Sequence, residues 1–161
     1  MPDTHITLYV QKDEPDDPDG WKRCTKDGAD TDFWCKYEGG NYPANDPVPP
    51  PGGPGYFQTV TPNDNVPFHA NITLVADEIW TPAPTAHGFK ITGVDITYVP
   101  PGPSDPQLSV VGAGPTQRTI IDKNTVPGQK GTYTVIVAFK DEPPNGLETD
   151  DLHCDPGWRN N

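Results

Sequence analysis

Apolar and polar residues alternate along most of this chain, and no segment carries a helical period with capping residues. From Val66 onward, Phe68, Ala70, Ile72, Leu74 and Ala76 share one phase, while His69, Asn71, Thr73 and Asp77 take the other. That spacing predicts a half-buried strand. Residues 88–99 predict a second, with Phe89 and Ile91 on one phase and Val94, Ile96 and Tyr98 on the other. The phase slips at Gly93, where a β-bulge would absorb one extra residue. Further strands are predicted at 6–11, 107–111 and 117–123, a short one at 56–61, and a last one ending at Phe139. About seven strands with frequent turn signals predict an all-β fold, an immunoglobulin-like β-sandwich.

The last predicted strand is apolar on both phases, since Tyr133, Val135, Val137 and Phe139 alternate with Ile136 and Ala138. Its second face needs a cover. Either the aromatic segment between Trp21 and Phe57 supplies it, or a second copy of the chain does, as a homo-oligomer. Residues 16–55 read as a long loop insertion, ending in a proline-glycine tract at 43–54. Yet Trp21, Phe33, Trp34, Tyr37, Tyr42, Tyr56 and Phe57 crowd this neighbourhood, which a flexible linker would not need. Residues 144–161 read as an irregular C-terminal tail, and 1–161 as a single domain.

Composition alters this picture in one respect. The 22 prolines, 16 glycines and net charge of −12 approach disorder-prone values. Apolar residues nevertheless concentrate in 66–99 and 108–139, so a core is expected beside apolar-poor excursions. Only 11 basic residues are present, and they are scattered. This argues against nucleic acid and anionic membranes and favours cations or basic partners. The opening residues lack the basic and apolar stretches of a secretory signal, so the expected location is cytoplasmic.

The word Lys-Asp-Glu-Pro occurs twice, at 12–15 and 140–143, each time at the end of an apolar run. Proline has no backbone donor, so each copy should stop its strand. In immunoglobulin-like sandwiches the first strand commonly pairs in parallel with the last, which would bring Asp13, Glu14, Asp141 and Glu142 to one end. Such a carboxylate cluster suits calcium, a hard cation with flexible oxygen coordination. A solvated acidic rim is the simpler reading.

Catalytic signals are weak. Neither Ser104 nor Ser109 lies in a nucleophile elbow. Cys24, Cys35, His153 and Cys154 have the atoms of a zinc site or a thiol enzyme built on loops, without a recognised ligand spacing. Three cysteines are an odd number, so reduced thiols are the first reading. Cys24 and Cys154 flank the two repeat segments, however, and could meet and bridge. Trp21, Trp34 and Trp158 could form a platform for a carbohydrate or protein ligand, although large aromatics on loops more often pack the loop itself. A non-enzymatic binding or assembly module is therefore the expected class.

The pairs Glu14-Pro15 with Asp17-Pro18, and Glu142-Pro143 with Asp155-Pro156, resemble the small DP-EP family of uncharacterised bacterial proteins. The resemblance covers both termini and implies no activity, cofactor or catalytic residue.

Overall fold

The computed structural model describes residues 3–18, 20–41, 55, 57–58, 66–81, 86–98, 105–125, 130–141, 146–154 and 157–159. The described residues form eleven strands and no helix. They are β1 (Asp3–Lys12), β2 (Lys22–Lys26), β3 (Ala29–Gly39), β4 (Phe57–Gln58), β5 (Phe68–Val75), β6 (Gly88–Tyr98), β7 (Leu108–Val111), β8 (Gln117–Asp122), β9 (Lys130–Lys140), β10 (Glu148–Cys154) and β11 (Gly157–Arg159). Among the described residues, no helix is long and apolar enough to cross a membrane.

All strands join one mixed sheet, in the order β4-β11-β9-β10-β2-β3-β1-β5-β8-β7, with β6 on the other side of β9. Among the described strands, β1 with β5 and β4 with β11 pair in parallel, and an isolated parallel bridge joins Ile79 to Phe89. The sheet curls until its far edges approach. The Ile91 amide in β6 donates to the Pro115 carbonyl at 2.7 Å, Arg118 of β8 donates to the Ile91 carbonyl at 3.1 Å, and the Leu108 amide donates to the Tyr98 hydroxyl at 3.2 Å. The result is nearly a barrel.

Alternation produces this shape directly. On β1, Ile6, Leu8 and Val10 point inward, as do Phe68, Ala70, Ile72 and Leu74 on β5. Burying each of these side chains larger than Ala70 contributes roughly 1.5–3 kcal/mol. The predicted bulge is present, because the β6–β9 register shifts between Ile91 and Gly93, which returns Val94, Ile96 and Tyr98 to the core side. Both Lys-Asp-Glu-Pro words stop their strands, with β1 ending at Lys12 and β9 at Lys140.

Three expectations are corrected. First, β1 does not pair with β9; its neighbours are β3 and β5. Second, the supposed loop at 16–55 contains the β2–β3 hairpin, which occupies the place beside β1. Third, the C-terminal segment is not irregular, because β10 returns antiparallel to β9 and joins it to β2. Among the described residues of the aromatic segment, Phe33, Tyr37 and Phe57 are buried in the interior. Phe33 packs against Phe139 in a tilted contact at 5.4 Å between ring centres, and Tyr37 meets Tyr133 edge on at 6.1 Å. The tract at 43–54, with Tyr42 and Tyr56, lies outside the described residues.

Candidate functional site

Alternation continues past the ends of β1 and β9. Lys12 follows Leu8 and Val10 on the inward phase, and Asp141 follows Val137 and Phe139 on theirs, so both polar side chains emerge at one mouth of the curled sheet. There the Lys12 ammonium lies 3.3 Å from the Asp141 carboxylate and 5.7 Å from the centre of the Phe139 ring. The described parts of the two words therefore meet through Lys12 and Asp141, without any strand pairing between β1 and β9. An exposed pair of this kind stabilises the fold by about 1 kcal/mol or less.

Around this pair is a cavity of about 300 Å³ lined by Gln11, Lys12, Asp77, Glu78, Phe89, Phe139 and Asp141. Phe89 and Phe139 are buried and pack together at 4.4 Å, making an apolar floor. Asp77 and Glu78 are exposed. Three carboxylates against one ammonium leave the lining with a net charge of minus two. Backbone bonds hold the mouth in shape: the Asp141 amide donates to the Leu147 carbonyl at 2.9 Å, and the Phe89 amide to the Glu78 carbonyl at 2.8 Å.

The other carboxylates of the predicted metal site are placed differently. Asp13 adopts a left-handed conformation, with φ of 67°, and its amide donates to the Asp32 carbonyl at 3.0 Å. Glu14 is exposed, and Glu142 lies outside the described residues. Among the described residues, no three carboxylates bring oxygens within 4.8 Å of one another. The sequence marks Asp77 only as a polar-face residue of the strand predicted from Val66, and no word marks Glu78; the observed strand ends at Val75, which leaves both at the mouth.

Trp21 packs against Tyr9 with ring centres 6.5 Å apart, and Trp34 lies beneath the Arg23 guanidinium at 5.0 Å. Trp158 pairs through its backbone with Phe57, and its side chain lies outside the described residues.

A second cluster lies within the core. Cys24, Cys35 and Cys154 are all fully buried, and their sulfurs lie within 4.8 Å of one another. They come from three adjacent strands, β2, β3 and β10. The sulfurs of Cys24 and Cys154 are 3.4 Å apart. Contacts with Cys24 and Cys35, together with burial, push the Cys154 thiol well above its usual range. For Cys24 the contact with Cys154 acts downward, but Cys35 and burial outweigh it and the thiol is again raised. His153 takes no part, because neighbouring strand residues point to opposite faces; its ring bonds Asp151 at 3.1 Å.

No family model and no curated protein matches the chain.

Proposed function

We propose that this protein is a non-enzymatic binding module of immunoglobulin-like β-sandwich type, whose site is the cavity between the two Lys-Asp-Glu-Pro strand ends. Its ligand is a basic side chain of a partner protein, a guanidinium or ammonium carried on an apolar stem. The observation that carries this reading is the position of Lys12. The protein's own ammonium already sits beside a carboxylate and over an aromatic floor, the two interactions that a partner's cation would gain. Asp77 and Glu78 supply the further negative charge, and the Phe89 and Phe139 floor suits the carbon stem. The overall charge of −12 draws such a partner from a distance.

Titration calorimetry with a short arginine peptide tests this reading, with the same peptide carrying citrulline as the neutral control. The arginine peptide binds, the citrulline peptide does not, and affinity falls as salt is raised. Equal heats from the two peptides would remove the electrostatic basis of the proposal. Combined Asp77→Asn and Glu78→Gln substitutions weaken binding roughly tenfold, the scale of one charge-assisted contact.

A further inference from the structure

We propose that Cys24 and Cys154 form a disulfide that staples the sheet across its narrowest junction, with Cys35 as the third thiol of the cluster. Among the described residues, β2–β10 is the one strand ladder that joins the β1–β3 side of the sheet to β9, yet it shows a single register pair, Thr25 with His153. By comparison, β1–β3 shows seven. Side chains reinforce the junction: Lys26 pairs with Asp150 at 2.9 Å, and the Tyr37 hydroxyl donates to the Cys154 carbonyl at 2.7 Å.

Because Thr25 faces His153 in an antiparallel ladder, Cys24 falls directly opposite Cys154. Opposed residues in such a ladder have Cα atoms about 4.5–5.5 Å apart, within the span a disulfide bridges. Their sulfurs already touch at 3.4 Å, and both are fully buried. Cys35 belongs to β3 and lies diagonally from Cys24, since its own register partner is Lys22. It is therefore the less favourably placed of the three.

A disulfide also suits the surroundings better than a metal ion. A divalent ion held by three thiolates would leave a negative charge in a pocket without solvent, whereas a disulfide is neutral. The oxidant is a small-molecule disulfide such as oxidised glutathione. The Cys24 thiolate attacks it, forming a mixed disulfide and releasing one small thiolate. The Cys154 thiolate then attacks the Cys24 sulfur and displaces the second. Cys24 and Cys154 together lose two electrons and two protons, and the reagent becomes two thiols. Exchange takes place during folding, before the junction closes over the sulfurs.

The full chain is reduced, unfolded, refolded in a mixture of reduced and oxidised glutathione, then acid-quenched and alkylated under denaturing conditions. Trypsin places the three cysteines on separate peptides, 24–26, 27–36 and 141–159. The expected result is alkylation of Cys35 alone, with 24–26 joined to 141–159 and lighter by two hydrogens. The Cys35→Ala chain forms the same bridge and takes no alkylating agent. Bridged protein melts about 10 °C above the same protein kept in reductant, as expected for a cross-link closing a very long loop. Three alkylated cysteines, a bridge through Cys35, retained glutathione, or stoichiometric zinc or copper released with three thiols would each overturn the proposal. Equal melting temperatures would remove its role as a staple.

Discussion

Asp122 ends β8 fully buried, and its carboxylate accepts a hydrogen bond from the Asn124 amide at 2.9 Å. Burial pushes its pKa up from 3.8 to about 6, against the opposing pull of that bond. A raised value means that the folded chain keeps a proton which the unfolded chain releases between about pH 4 and pH 6. The stability this group contributes is greatest below that window, falls across it and is level above it. Asp122→Asn removes the slope. Relative to the unsubstituted chain, its unfolding free energy should rise by roughly 2–3 kcal/mol between about pH 4 and about pH 7, measured by urea denaturation at both. Parallel pH curves for the two proteins would contradict this. Gly55 sets a different constraint at the same scale. It has φ of 85°, and an added Cβ would lie 2.6 Å from the Tyr37 Cβ and 2.7 Å from its Cγ, while its carbonyl accepts the Tyr133 hydroxyl at 2.5 Å. Gly55→Ala should cost about 2–4 kcal/mol in the same assay, because both the backbone and the base of the Tyr37 side chain must move.

Among the elements, the β2–β10 junction carries more consequence than its length suggests. Tyr37→Phe takes a donor from the buried Cys154 carbonyl, and should lower unfolding stability by about 1–2 kcal/mol. Hydrogen exchange should show the Thr25 and His153 amides opening before those of β1 and β5, where the ladder is long. The strands that meet at this junction are also those least legible in the sequence. Phe68 to Leu74 and Tyr133 to Phe139 announce themselves by strong apolar alternation, and the Gly93 slip revealed its bulge. In β2, β3 and β10 the inward positions are held by Cys24, Phe33, Cys35, Tyr37, Leu152 and Cys154 among charged neighbours. Cysteines treated as chemistry, and not as small apolar residues, hide that alternation. Asp27-Gly28 was the available signal: both residues have positive φ, 53° and 80°, as a two-residue hairpin turn requires, and Lys26 pairs with Ala29 across it. Once this hairpin occupies the flank of β1, no room remains for β9 there.

Across the whole molecule, curling brings together residues that the linear order separates. The repeated word announced that its two copies share an end, and Lys12 with Asp141 meets that expectation. The route differs, because β1 and β9 do not pair, and the carboxylates beside Lys12 and Asp141, namely Asp77 and Glu78, arrive from the end of β5. Long-range closure of a sheet leaves no periodicity in the sequence, so neither the cavity nor its composition could be read there. Under the proposed function, Lys12 is the site's internal competitor. Lys12→Gln should leave the fold intact, because the pair is exposed, and should strengthen binding of a cationic peptide roughly three- to tenfold by removing a like charge. The most direct measurement is an NMR titration of the unsubstituted and Lys12→Gln proteins with the arginine peptide, following the aromatic resonances of Phe89 and Phe139 and the Asp141 amide. The account predicts saturable shifts at all three in both proteins, with the tighter curve for Lys12→Gln. Unmoved ring resonances at millimolar peptide, or tighter binding by the unsubstituted protein, would contradict it.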